Sequence, residues 1–273
     1  MKITEVNVYN LSYPVMKPFA NSGTYNRSRR ATVIEVKTDS GLIGWGEGSG
    51  PPSISDIEQY VIGRSPFDTE VIYDDLSNGG RNARSACGVE IALWDLMGKA
   101  LDQPVWQLLG GRRRTKVLAY ASGLFKPEEG DHASALAEEA SRYRDMGFKA
   151  VKMKMGFGPD QDERIVSAVR GAIGNDVDLA IDANCAYDPA TAIESGKRLL
   201  DYDLLWYEEP VGPTDVSGYG MIKQALPTCR LAGAEALAGS RSFRDLIQAR
   251  VLDVIQPDIS IAGGFTEMRR IAA

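Results

Sequence analysis

Lys152 and Lys154 flank Met153 inside an apolar run that spans residues 148–155. On a β-strand successive side chains point to opposite faces, so the two lysines share one face while Val151, Met153 and Met155 share the other. Two ammonium groups on one side of a buried strand are costly. Desolvation and mutual repulsion both favour the neutral amine, which is how a protein turns a lysine into a base near neutral pH. On an edge strand the same pattern would be two solvated lysines. The remaining ionisable residues of that half of the chain decide between the two readings.

Counting on from Lys154, Asp182, Glu208, Glu235 and Asp258 recur after 28, 26, 27 and 23 positions, each interval about one strand-plus-helix unit. They lie near the ends of strand-like runs at 149–155, 177–184, 204–210, 230–235 and 251–258, with a further run at 117–122. Helical stretches intervene, such as 133–146 and 161–172, the first preceded by Asp131 as an N-cap. Alternating β and α with mostly apolar strands predicts a parallel sheet covered by helices. In a parallel barrel the C-terminal strand ends converge at one mouth, so Asp182, Glu208 and Glu235 become neighbours there. Three carboxylates do not stay ionised close together without a cation. All-oxygen ligation with no His or Cys nearby suits a hard ion, Mg²⁺ first and Mn²⁺ second. Any one acidic residue after a strand is ordinarily a helix N-cap or a solvated loop residue, and the ordered set is what points to a site.

The first 48 residues read differently. Residues 3–11 alternate, 31–38 are β-rich, Asp39-Ser40-Gly41 is a turn and 42–46 return, which predicts an antiparallel meander. The intervening stretch 16–30 is rich in Asn, Ser, Gly, Tyr and Arg and reads as a loop too long and polar for a tight hairpin, hence disordered or a lid. From 55 to 109 the periodicity is helical, most clearly at 87–100, where the Trp94 helix reads as core packing. Gly110-Gly111-Arg112-Arg113-Arg114 reads as a junction. The expected organisation is an α+β unit over residues 1–113 and a β/α unit over 114–273.

Composition narrows the function classes. With 273 residues, 44% hydrophobic and 25% charged, the chain is long enough for a large core and a smaller second domain. A net charge of -6 argues against a nucleic-acid surface, and the arginine runs at 27–30 and 112–114 read as solvated loop faces. Cys87, Cys185 and Cys229 have neither metal-site spacing nor an even count, so no disulfide framework is expected and a reducing cytoplasm fits. The N-terminus starts directly in strand-like alternation and no segment reaches the apolar length of a membrane span, so a soluble, unprocessed protein is expected.

Taken together, Lys152-Met153-Lys154, Ile181-Asp182-Ala183-Asn184, Trp206-Tyr207-Glu208-Glu209-Pro210, Gly233-Ala234-Glu235 and Gln256-Pro257-Asp258 followed by Gly263-Gly264 resemble the enolase superfamily in its mandelate racemase subgroup. The resemblance implies an N-terminal α+β capping domain over a modified (β/α)8-type TIM barrel. It implies Mg²⁺ on Asp182, Glu208 and Glu235, Lys154 as the base that takes a proton α to a carboxylate through a metal-stabilised enediolate, and Lys152 as its electrostatic neighbour. It also implies that Asp258 orients a histidine from the next strand. Asn184, two residues after Asp182, is a candidate to hold a substrate hydroxyl, and Tyr25, with Asn21, Ser22, Thr24, Asn26 and Arg27, suits a hydroxylated anionic substrate. A homo-oligomer rests on the resemblance alone.

Two features depart from the pattern. The only histidine is His132, placed before the helix that follows the first barrel strand. The strand count stops at six, which does not close such a barrel, so the sequence reads as part of a longer protein, with a second chain or a truncated product as the alternatives. The expected activity is that of an acid-sugar dehydratase acting on a small-molecule carboxylate. A racemase or epimerase would use the same half-reaction, and an incomplete barrel would only bind metal or acid. A Schiff-base aldolase on Lys152 or Lys154 is disfavoured by the three carboxylates.

Overall fold

The computed structural model describes residues 1–23 and 25–273. Its N-terminal part holds strands β1 (Ile3–Ala20), β2 (Tyr25–Thr38) and β3 (Ile43–Gly48), then helices α1 (Ile54–Tyr60), α2 (Thr69–Leu76), α3 (Ala83–Leu101) and α4 (Val105–Leu108). There follow β4 (Ala121–Ser122), β5 (Lys126–Pro127), α5 (His132–Asp145), β6 (Ala150–Lys154), α6 (Pro159–Ile173), β7 (Asp178–Asp182), α7 (Pro189–Leu199) and β8 (Leu204–Glu208). The last elements are α8 (Val216–Ala225), β9 (Leu231–Gly233), α9 (Ser240–Ala249), β10 (Val254–Ile255), α10 (Ile259–Ala262) and α11 (Gly264–Ala272).

The meander forms as the alternation predicts, and α3 closes its inner face. Gly46 and Gly88 make that approach possible: a Cβ on Gly46 would lie 2.0 Å from the Gly88 carbonyl oxygen, so helix and strand backbones touch. Ile34, Val36, Val89, Leu93 and Leu96 then form one core. Trp94 is buried on the same helix, against Phe265 at 5.6 Å between ring centroids.

The stretch expected to be a long loop is instead a β-ribbon. β1 and β2 stay paired from Leu11↔Ala31 to Ala20↔Tyr25, with one irregularity between Pro14 and Phe19. Because β3 pairs only with Thr32–Lys37, the ribbon beyond it has no core to face, and Tyr13 and Met16 are 69% and 93% exposed. A strand wet on both sides carries no alternation signal and reads as polar loop. Thr24 lies outside the described residues.

The second sheet is parallel, in the order β10-β9-β8-β7-β6-β4. Its helices and strands bury a separate core that includes Met153, Ile181, Tyr207, Leu231 and Phe243. Among the described residues β4 and β10 are open edges. The run expected to be a strand over 117–122 is paired only at Ala121 and Ser122, while Val117 and Leu118 stay 83% and 74% exposed. β5, although it follows β4 in the chain, joins the first sheet, pairing with the ribbon at Phe19↔Pro127 and Ala20↔Lys126.

Candidate active site

Strand register assembles the site. Lys154 pairs with Asp182, Asp182 with Glu208, Glu208 with Ala232 and Ala232 with Val254. Residues paired across a parallel sheet share a face, so these five form one row around the C-terminal strand ends. One row deeper, Lys152 pairs with Ala180 and Ala180 with Trp206. The small Ala180 leaves room for the Lys152 stem to rise across β7. Its ammonium donates to Glu208 Oε1 and stands 3.7 Å from Asp182 Oδ2, while Lys154 Nζ donates to Asp182 Oδ2. All four groups are buried. The lysines are thus on one inward face, and the solvated-edge reading is excluded.

The electrostatics differ from the expectation for Lys152. Burial is the largest single influence and favours the neutral amine, but Glu208 and then Asp182 outweigh it and raise the pKa above the ordinary lysine value. The repulsion argument considered the strand alone, whereas the carboxylates of two neighbouring strands dominate. Burial, and next the Asp182 charge, raise Glu235 above the usual carboxylate range, with Lys154 and Lys152 acting against them.

Beyond Asp182 the chain leaves strand geometry. Asn184 and Cys185 have φ of 45° and 62°, so face alternation no longer places them. The Asn184 backbone N–H donates to Asp182 Oδ1 at 2.9 Å, and its side-chain Oδ1 is buried without a donor. Regular alternation would point Glu209 away from Glu208, but its φ of 40° breaks the strand geometry there, and the Glu235 and Asp182 charges act on its carboxyl. It is 3% exposed, accepts from Cys185 Sγ at 3.5 Å, and is pushed up to about 7 by burial and then by the charges of Glu235 and Asp182. The Cys185 thiol, half-buried beside it, is pushed up to about 12, first by burial and next by Glu209, and stays protonated.

The ribbon tip covers this mouth. Ser22 Oγ donates to the Ala183 carbonyl at 2.9 Å, and Tyr25 OH donates to the Pro127 carbonyl at 2.9 Å. Phe19 packs on Phe125 at 4.6 Å, and Lys154 Nζ lies 5.6 Å from the Phe125 ring centre. Asp258 is not brought to a histidine. Exposed, it accepts from the backbone N–H and hydroxyl of Ser260 as the N-cap of α10.

Two domain families match this chain. "Mandelate racemase / muconate lactonizing enzyme, N-terminal domain" covers residues 3–110, and "Enolase C-terminal domain-like" covers 135–273. The chain belongs to the enolase superfamily. Among its relatives, the D-galactarolactone cycloisomerase of Agrobacterium fabrum is 37% identical over 284 residues, matching 100% of this chain and 75% of its own length. The arabinonate dehydratase of Saccharolobus solfataricus is 31% identical over 290 residues, 98% of this chain and 77% of that one. The dipeptide epimerase of Enterococcus faecalis, solved with Mg and the dipeptide L-Leu-L-Tyr, superposes with a TM-score of 0.87 at 27% identity, over 99% of this chain and 78% of the other.

For an enolase-superfamily chain the question is whether these residues suit a divalent ion. Among the described residues no three Asp, Glu, His or Cys side chains stand in metal-ligating geometry, since Asp182 and Glu208 each turn an oxygen to a lysine. The donor set nevertheless fits: Asp182 and Glu208 end their strands and Glu235 lies two residues past β9, with Asn184 Oδ1 and Glu209 Oε1 as two buried acceptors without donors. Sequence reasoning missed two further participants, Trp206 and Gln256, which both donate to Glu208 Oε2 at 2.9 Å. The signal was present, because Trp206 precedes Glu208 by two residues and so shares its face.

His132 belongs to neither the carboxylate group nor the lysines. It opens α5, is 7% exposed, packs edge-on against Phe157 and receives a hydrogen bond from Gln161 Nε2 on Nδ1, which leaves the ring proton on Nε2. Burial, then the nearby Lys126 charge, lower its pKa to about 4. The unfolded chain therefore takes up this proton near pH 6.5 and the native state only near pH 4, so stability is full above the first value and falls as pH drops toward the second. His132→Gln should flatten the melting temperature between pH 6.5 and 4, a difference of at most about 3 kcal/mol. Equal slopes for variant and wild type would refute the assignment.

Proposed function

We propose that this protein abstracts the proton α to the carboxylate of an acid sugar or its lactone, with Mg²⁺ as cofactor, and that β-elimination of an oxygen leaving group follows. The observation that carries this reading is the row Lys154–Asp182–Glu208 with Lys152 beneath it, which puts two amines and two carboxylates at one buried strand end. Asp182, Glu208 and Glu235 would hold the ion. When bound it supplies the positive charge that acidifies the α-carbon and stabilises the two oxygens of the enediolate.

The protein's own groups divide the remaining work. Lys154, in the row nearest the mouth, takes the α-proton on Nζ. Lys152, one row deeper, stays charged between Glu208 and Asp182 and adds a fixed positive field. Asn184 Oδ1 accepts a substrate hydroxyl, and the ribbon carrying Ser22 and Tyr25 keeps water from the mouth. The division at 113/114 puts the ribbon on a capping unit and the reacting groups on the barrel unit.

The cycloisomerase and dehydratase relatives, named for a lactone and for an acid sugar, support the elimination reading. The epimerase neighbour supports a second reading, in which the α-proton is returned to the opposite face. Incubating the protein with Mg²⁺ and a panel of aldonic acids, aldaric acids and their lactones in deuterium oxide separates these readings. A 2-keto product supports elimination, whereas deuterium in recovered substrate without keto acid supports epimerisation. Neither, across the panel, would leave a protein that only binds metal or acid.

A further inference from the structure

We propose that Trp206 and Gln256 are positioning residues that lock Glu208 so that only its Oε1 is available as a ligand; the inference rests on the metal reading above. Trp206 Nε1 and Gln256 Nε2 both donate to Oε2 at 2.9 Å, filling that oxygen from two sides. Oε1 alone is left facing the lysines and Asp182, and in this structure it accepts from Lys152. Two directional donors on one oxygen fix the rotation of the carboxylate about its last bond, which a free Glu side chain sets loosely.

The strand register explains how a residue two strands away reaches Glu208. Glu208 pairs with Ala232 and Ala232 with Val254, so Gln256, two residues after Val254, shares their inward face. Its backbone N–H donates to the Gly233 carbonyl at 3.0 Å, which continues the β10 register past the strand end. In that row β9 contributes only the small, fully buried Ala232, and the Gln256 amide reaches across β9 to Glu208. The amide orientation is determined, because exchanging its N and O would place an oxygen against the carboxylate. Trp206 is braced in turn by Tyr120, whose ring meets it edge-on at 5.5 Å.

A ligand fixed in this way binds its ion without first losing rotational freedom. Groups behind a ligand commonly change metal affinity by 10–100-fold when removed. The test is calorimetric titration of the full chain with Mg²⁺, alongside melting of the metal-free protein, for wild type, Trp206→Phe and Gln256→Met. Gln256→Met keeps the bulk and Trp206→Phe keeps an aromatic ring against Tyr120, and both remove the donor. The expected result is a loss of affinity of about tenfold or more in each variant, at a metal-free melting temperature within about 2 °C of wild type. The double variant should lose less than the product of the two, since both donors act on one oxygen.

Wild-type affinity in both variants would overturn the positioning role and leave the metal reading standing. No binding by the wild-type protein would overturn both. Affinity that falls only in step with melting temperature would overturn it as well, since that is general loosening. Should Trp206→Phe fail to fold, Gln256→Met carries the same comparison alone.

Discussion

Lys154→Met should abolish deuterium exchange at the substrate α-carbon and lower turnover at least about 10³-fold, while leaving Mg²⁺ binding intact. Lys154 shares the row of Asp182 and Glu208, nearest the mouth, and its amine already meets Asp182. No other amine is placed in that row. Lys152 lies one row deeper, committed to Glu208, with Asp182 at 3.7 Å. Lys152→Met should therefore cost less, about 10²-fold, by removing a fixed charge and not the proton acceptor. Calorimetry on both variants distinguishes loss of a base from collapse of the carboxylate group. Exchange that survives in Lys154→Met but vanishes in Lys152→Met would reverse the two roles. Exchange that survives in both would remove lysine from the reaction altogether.

The parts of this site that were legible in the sequence share one property: they sit inside regular strands. Lys152 and Lys154 obey the two-residue alternation, so their common face follows from spacing alone, while Asp182 and Glu208 end their own strands one strand-plus-helix interval apart, which places them at the same mouth. Asn184 and Glu209 lie just past the ends of β7 and β8 with positive φ, where parity has no meaning, and their placement required coordinates. Gln256 reaches Glu208 only because Ala232 is small, a relation spread over three strands that no local window contains. The raised pKa of Lys152 has the same origin, since its strongest charged neighbours belong to other strands. The ribbon was missed for a different reason. Alternation reports one wet and one dry face, and residues such as Tyr13 and Met16 have two wet ones. Asp258 sits past the end of β10, where its side chain caps α10.

Glu90→Ala should lower the melting temperature by roughly 5–10 °C, the equivalent of about 3 kcal/mol in a chain of this size. Glu90 lies in the middle of α3, 1% exposed, where an unpaired carboxylate would be expensive. It is satisfied by four donors: Trp94 Nε1 at 2.7 Å, the backbone N–H groups of Phe265 and Thr266 at 2.9 and 2.8 Å, and the Thr266 hydroxyl at 2.7 Å. Three of these belong to the start of α11, so one side chain of the N-terminal unit holds the first turn of the last helix. Burial, the largest influence, raises its pKa against those hydrogen bonds. Gly264 is part of the same joint. Its φ is 75°, and a Cβ there would lie 2.0 Å from Glu90 Oε2, so Gly264→Ala should destabilise the protein by displacing the carboxylate. Because both changes break one contact, the double variant should fall well short of the sum of the two. Glu90→Gln should not rescue, since an amide turns an N–H toward neighbours that are all donors. A wild-type melting temperature in Glu90→Ala, or strict additivity with Gly264→Ala, would mean that α3 and α11 are held together by apolar packing such as Trp94 on Phe265, with the buried carboxylate contributing nothing.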